Sequence, residues 1–420
     1  MASLRRRIRS IALIEQLGPG LVTGAADDDP SGIATYSQAG AQFGYGLLWT
    51  MVLTYPMMTA IQLVSAYIGR VTGDGLARNM EKVLPRPLVL ILVALLLVAN
   101  TINIGADLAA MGDAAQLSTG LSPHVLTVGF AIVSLLLQLF IPYERYAHLL
   151  KWLTLSLLAY VAVVLMVQVD WGEVALGLVW PRIGQGGATT VVAIFGTTIS
   201  PYLFFWQSAQ EIEEVKEKKG AKPLKQAPWQ AGRELRRIRL DTYVGMAASN
   251  LVALAIIIAT AATLHAQGTD TIATAADAAR ALQPVAGRFA FVLFSLGIIG
   301  TGLLAVPVLA GSAAFALCDA NGWKRGLEHK PWEAMGFYGV IVGATLLGLG
   351  IDWSPIEPIR ALFWSAVING VAAVPIMAAM MVVVGRRKLM GKFAAPPALR
   401  IIGWSATAIM AAAAVAMFVV

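Results

Sequence analysis

A single cysteine, Cys318, stands among 420 residues, which leaves no partner for an internal disulfide and excludes a cysteine-rich metal site. It reads as a small buried residue. Histidine is nearly as scarce: His124, His148, His265 and His329 all fall at the ends of apolar runs or between them, where solvated roles are the ordinary ones. Charge is thin as well, at 13% of residues. There is no HExxH, no GxSxG and no glycine-rich phosphate loop with its lysine, so the motifs of metalloprotease, serine hydrolase and nucleotide enzymes are missing and no cofactor is implied. No stretch between the apolar runs resembles an appended signalling domain.

Hydrophobic residues dominate instead, at 58% with a mean hydropathy of +0.71, outside the range of soluble domains. Apolar runs long enough to cross a bilayer core of about 30 Å recur throughout. Eleven spans are expected, centred near residues 30, 57, 100, 133, 159, 200, 253, 301, 342, 371 and 409. Their length of about 20 residues calls for helices rather than barrel strands, which are about 10 residues long and alternate in polarity. The chain therefore reads as an all-α integral membrane protein. The basic start "MASLRRRIRS" leads straight into "GPGLVTGAADDDP" with no cleavage site, so no removable signal is expected.

Lysine and arginine test the count, because cytoplasmic loops hold the positive charge. With the N-terminus inside and eleven spans, the inner segments carry 27 of the 31 basic residues, leaving only Arg182, Arg280, Arg288 and Arg360 outside. The expected location is the cell membrane, with a cytoplasmic N-terminus and an outer C-terminus. The net charge of +7 then marks loops facing anionic lipid. It does not mark a nucleic-acid partner, and no obligatory protein partner is evident.

Two spans are interrupted near their middle by proline beside polar residues: span 1 at "DDDPSG" and span 6 at "FGTTISPYLFFWQSAQEIEE". Mid-span proline frees backbone groups, which at this depth must face protein or a wet cavity. The breaks fall on the first helix of each of two five-helix blocks, spans 1 to 5 (residues 18–168) and spans 6 to 10 (187–384), with span 11 (398–420) left over. Five is odd, so the second block enters from the opposite side. This is the layout of an inverted repeat whose discontinuous helices bind substrate at the midplane.

A carboxylate at bilayer depth costs at least about 2.5 to 3.5 kcal/mol, and no lysine or arginine lies near either break to compensate Asp29. A cation from solution is the simplest partner. Ser31, Gly32, Thr197, Thr198 and Ser200 add hydroxyls and exposed carbonyls, all hard oxygen donors. Asp27 and Asp28 either join the site or line a wet vestibule. Asn369 in span 10 is either a ligand or an interhelical tie. Asn100, Asn103 and Asp107 form a stripe on one face of span 3, read as wet-cavity lining. The acidic run Glu211, Glu213 and Glu214 is read as a solvated loop entry.

The stretch "GPGLVTGAADDDPSGIATYSQAGAQFGYGLLW" resembles the first helix of the NRAMP family of divalent-metal transporters, with its Asp-Pro-Gly-Asn motif. "FGTTISPYLFF" resembles the partner motif Ala-Thr-Val-Met-Pro-His-Asn. The likeness is strong over residues 18 to 75 and recognisable in spans 3, 6 and 10. It implies the amino acid–polyamine–cation transporter fold with a divalent ion held between the two breaks. It places the motif's aspartate on Asp29 and its metal-binding carbonyl on Thr197. The motif's asparagine falls on Gly32 and its methionine on Ser200. Losing the thioether leaves hard oxygen, which suits magnesium over softer transition ions, and losing two bulky ligands is expected to enlarge the site for a partly hydrated ion. The family's span 3 glutamate falls on Asn100 and its two span 6 histidines on Tyr202 and Gln207, so proton coupling is not expected. These departures resemble the NRAMP-related magnesium transporter branch, whose expected activity is facilitated magnesium entry, with manganese as a further substrate. An inside-negative potential gives a divalent ion about 4.6 kcal/mol per 100 mV. The alternative is a proton-coupled manganese or iron transporter of the ordinary NRAMP type. A carrier of amino acids is the poorer fit, because acidic residues at the break repel a carboxylate substrate.

Overall fold

The computed structural model describes residue 24 and residues 27–141 and 155–419. The first half of span 1 apart from Gly24, and the segment with Arg145, His148 and Lys151, lie outside them. The labelled helices are α1 Pro30–Phe43, α2 Trp49–Thr72, α3 Arg86–Thr119, α4 Pro123–Phe140, α5 Leu158–Met166, α6 Gly187–Thr198, α7 Pro201–Glu217, α8 Ala231–Thr263, α9 Ala290–Asn321, α10 Met335–Leu349, α11 Pro358–Gly385 and α12 Pro397–Val419. Among the described residues nine helical stretches are long and apolar enough to span a bilayer, with α6 and α7 counted together as one. The described part of span 5, the helical stretch Leu155–Met166, turns by 119° into Trp171–Val179, an element that hydropathy did not separate.

α4 shows why this is a membrane fold. Its buried residues are Thr127, Ala131, Ser134 and Gln138, spaced three and four apart. Val125, Ile132, Val133 and Leu136 on the other side are exposed. In water that arrangement is inside out. In lipid, apolar side chains meet the acyl chains while small and polar ones pack between helices.

The loops sort onto two faces, as alternating spans require. On one, Arg182 N–H donates to Gly46 O and His124 pairs with Asp352. On the other, Leu224 and Lys225 N–H donate to Arg70 and Val71 O, and Lys216 pairs with Glu328. This second face gathers the basic segments 70–86, 216–239, 324–330 and 386–400. Here the solvated reading of the acidic run fails. α7 continues through Glu217, Glu211 is fully buried, and Arg237 Nη2 lies 2.6 Å from both Glu211 and Glu214. Arg70 of α2 faces Glu234 of α8 at 3.3 Å, both side chains at most 3% exposed. Unpairing a buried ion costs about 3 to 5 kcal/mol. Glu234→Gln is therefore expected to lower the melting temperature of the detergent-solubilised protein markedly, and an unshifted transition would mean the pair contributes nothing.

Glycine lets several helices meet backbone to backbone. A Cβ on Gly40 of α1 would lie 2.4 Å from Ile257 O of α8, and one on Gly105 of α3 would lie 2.2 Å from Gly348 O of α10. Cys318 is free and buried in α9, as its solitary status implied.

Candidate metal site at the helix breaks

Both prolines stand at the first position of a new helix, Pro30 in α1 and Pro201 in α7. There the missing N–H is an orphan in any case, so each proline starts a half-helix. Asp29 is the N-cap of α1, in extended backbone with φ −72° and ψ 170°. Its Oδ1 accepts from Gly32 N–H at 2.8 Å and Ser31 Oγ at 2.6 Å. Its Oδ2 accepts from Asn103 Nδ2 at 3.0 Å and Tyr202 Oη at 3.5 Å. A carboxylate at a helix N-terminus is favoured by the helix dipole. Besides its local partners in α1, the charge on Asp29 thus has partners from α3 and α7 that span 1 alone did not reveal.

The two breaks meet. Ser31 Oγ lies 3.4 Å from Thr197 Oγ1, and Tyr36 Oη 3.0 Å from Thr198 Oγ1. Thr198 Oγ1 itself donates to Ile194 O, so Tyr36 is the donor in that pair. Ser200 Oγ lies 2.7 Å from Gly196 O and from Thr197 O, turned back on the end of α6. There it satisfies carbonyls that the helix end leaves free. Asn103 Oδ1 in turn accepts from Ser365 Oγ of α11 at 2.6 Å. Asp28 and Asp27 are buried too, beside Ser249 of α8 at 2.9 and 2.6 Å respectively, which corrects the wet-vestibule reading. Asn369 is fully buried, and neither end of its amide has a hydrogen-bond partner among the described residues.

Two further expectations change. The space vacated at Gly32 is already filled: a Cβ there would meet Thr197 Oγ1 at 3.1 Å and the Tyr36 ring at 3.3 Å. The site is therefore not enlarged on that side. The stripe on α3 divides, since Asn100 Nδ2 donates to Leu309 O and Ser312 Oγ of α9 and serves as an interhelical tie. Asn103 and Tyr202 are the partners of Asp29 that the sequence did not single out as site residues. Asn103 carried a signal in its spacing. Ser249 and Ser365 carried none, being ordinary serines in long apolar helices. Among the described residues no three His, Cys, Asp or Glu side chains converge as a metal cluster, so any ion here relies on carbonyl, hydroxyl and amide oxygens beside carboxylate.

An all-helical chain of apolar spans, with two half-helices starting at proline where two breaks meet, has the amino acid–polyamine–cation transporter fold. The chain belongs to the Nramp family: residues 20–420 match the model described as natural resistance-associated macrophage protein-like. Similar curated proteins include the divalent metal cation transporter MntH of Acidiphilium cryptum, 29% identical across 90% of this chain and 84% of that protein. The protein of the same name from Yersinia pestis is 29% identical across 95% and 93%. The fold is shared with the manganese transporter of Eremococcus coleocola, with a TM-score of 0.72, 18% identity and 95% and 85% coverage. It is also shared with the nucleobase-cation-symport-1 transporter Mhp1, at 0.57 and 14% over 96% and 92%.

Proposed function

We propose that this chain carries divalent metal cations across the cell membrane, binding them between α1 and the α6–α7 break. The supporting observation is Asp29, a buried carboxylate at a half-helix N-terminus that reaches Tyr202 Oη of α7 at 3.5 Å and, through Ser31, approaches Thr197 at the end of α6. Its partners in the site are Ser31, the Gly32 backbone, Thr197, Thr198 and Ser200, with Asp28 and Asn369 at its edge. The repeat boundaries 18–168 and 187–384 follow from the two breaks. A cytoplasmic N-terminus and an outer C-terminus follow from the basic face.

The relatives, divalent metal cation transporters and a manganese transporter, favour manganese and so the first reading, the ordinary NRAMP type, whose expected activity is proton-coupled uptake of manganese or iron. A second reading, uncoupled magnesium entry, is favoured by one observation: the groups at the break are all hard oxygen donors or amides, with serine where the family motif has methionine. Uptake by purified protein in liposomes separates the two, using internal dyes for magnesium, manganese and pH under an inside-negative potential. Saturable magnesium entry without acidification supports the second reading. Manganese entry with acidification and no magnesium signal supports the first. Ser200→Met is expected to raise the manganese-to-magnesium uptake ratio, and an unchanged ratio would remove Ser200 from the ligand set.

A further inference from the structure

Asn100, Asn103, Asp107 and Met111 recur along α3 at steps of three and four residues, so they share one side of that helix. Three of the four have a defined place. Asn100 bonds α9, and Asn103 bonds Asp29. Met111 packs at Gly302 of α9, where a Cβ would lie 2.4 Å from the methionine sulfur and 3.4 Å from Cγ of Pro30. Asp107 comes one turn after Asn103 and one turn before Met111. It is thereby held in the angle between the break of span 1 and α9. It is fully buried, and neither carboxylate oxygen has a hydrogen-bond partner among the described residues.

The contrast with Asp29 is physical. Asp29 receives a backbone N–H, two hydroxyls and an amide. Asp107 receives nothing from the described residues, and a buried carboxylate without donors is far costlier than a bonded one unless a cation or a proton compensates it. Residues one turn apart have Cβ atoms about 5 to 6 Å from each other. Because Asn103 Nδ2 touches Asp29 Oδ2 at 3.0 Å and Asp107 follows one turn later on the same side of α3, the two carboxylates belong to one neighbourhood at the break of span 1.

We propose that Asp107 is a second anionic ligand of the transported cation, so that the ion sits between Asp29 and Asp107 and its two positive charges are matched. This rests on the reading that divalent cations pass the break, and it goes further by naming a ligand on α3.

The test compares Asp107→Asn, Asp107→Glu and Asp29→Ala with the unaltered protein in liposomes and in detergent, using Mn2+ alone and Mg2+ alone as probes. Two quantities are read: the half-saturating concentration for uptake, and the rise in melting temperature on adding metal, which reports binding to the folded state. Asp107→Asn keeps the volume and removes the charge. It is expected to fold, to raise half-saturation about tenfold or more, and to lose most of the metal-induced stabilisation. Asp107→Glu should stay within a few-fold of the parent. Asp107→Ser replaces the asparagine variant if that one does not fold. Parent-like half-saturation and stabilisation in the uncharged variants, with both lost in Asp29→Ala, would overturn the role of Asp107 and leave the transport reading standing. Parent-like behaviour in Asp29→Ala as well would overturn both.

Discussion

Asp29→Ala is expected to abolish metal uptake, lowering it by at least about 100-fold, while the protein remains folded. The alanine removes the one site carboxylate that α1, α3 and α7 all address. It also removes the N-cap of α1, whose Oδ1 holds Gly32 N–H at 2.8 Å, and loss of such a cap costs about 0.5 to 2 kcal/mol. Deleting a buried charge offsets part of that. Asp29→Asn separates the two roles, because an amide oxygen still caps the helix but lacks the charge. Both variants should show a cooperative melting transition near that of the parent and no saturable uptake of manganese or magnesium. Retained uptake in the asparagine form would mean that the charge is not what binds the ion.

The second large effect is expected at Gly196→Val, near the end of α6. A Cβ at this position would lie 1.9 Å from Ala366 O and 2.4 Å from Gly370 N of α11, and one on Gly370 would lie 2.6 Å from Val192 O. These are backbone atoms of two helices in contact, so no rotamer change relieves the overlap. Inserting bulk into a tight interface costs about 1 to 3 kcal/mol when side chains can adjust, and backbone contact sets that as the lower end. α6 carries Thr197 and Thr198 next to the glycine, so wedging it from α11 also moves the second break away from Asp29. The expected result is a melting temperature several degrees lower and uptake down at least about tenfold. A variant that melts and transports like the parent would mean that α6 and α11 do not meet at this glycine.

The residues of the candidate site stand out without coordinates. "DDDPSG" and "TTISP" stand out because polar residues beside proline are expensive at bilayer depth, and the five-helix spacing between them follows from counting apolar runs. What the residues did not reveal was their pairing. Asn103 looked like one member of a polar stripe, yet it is the residue of that stripe that bonds Asp29, whereas Asn100 points to α9. Glu211 looked like the start of a solvated charge run, yet Arg237, from 26 residues further along, buries it. Gly32 looked like an added void, yet Thr197 and Tyr36 occupy the space.

The sequence by itself determined the membrane class, the order of the apolar spans and the positions of the two proline breaks, because hydropathy and proline act locally along the chain. Only the tertiary structure decided which donors hold Asp29, which carboxylates are paired and which is left without a partner. Apart from the local bonds of Ser31 and Gly32 to Asp29, those outcomes depend on residues far apart in the chain. Their meeting is set by the close glycine contacts between helices and by the requirement that buried polar groups find partners once the helices have packed.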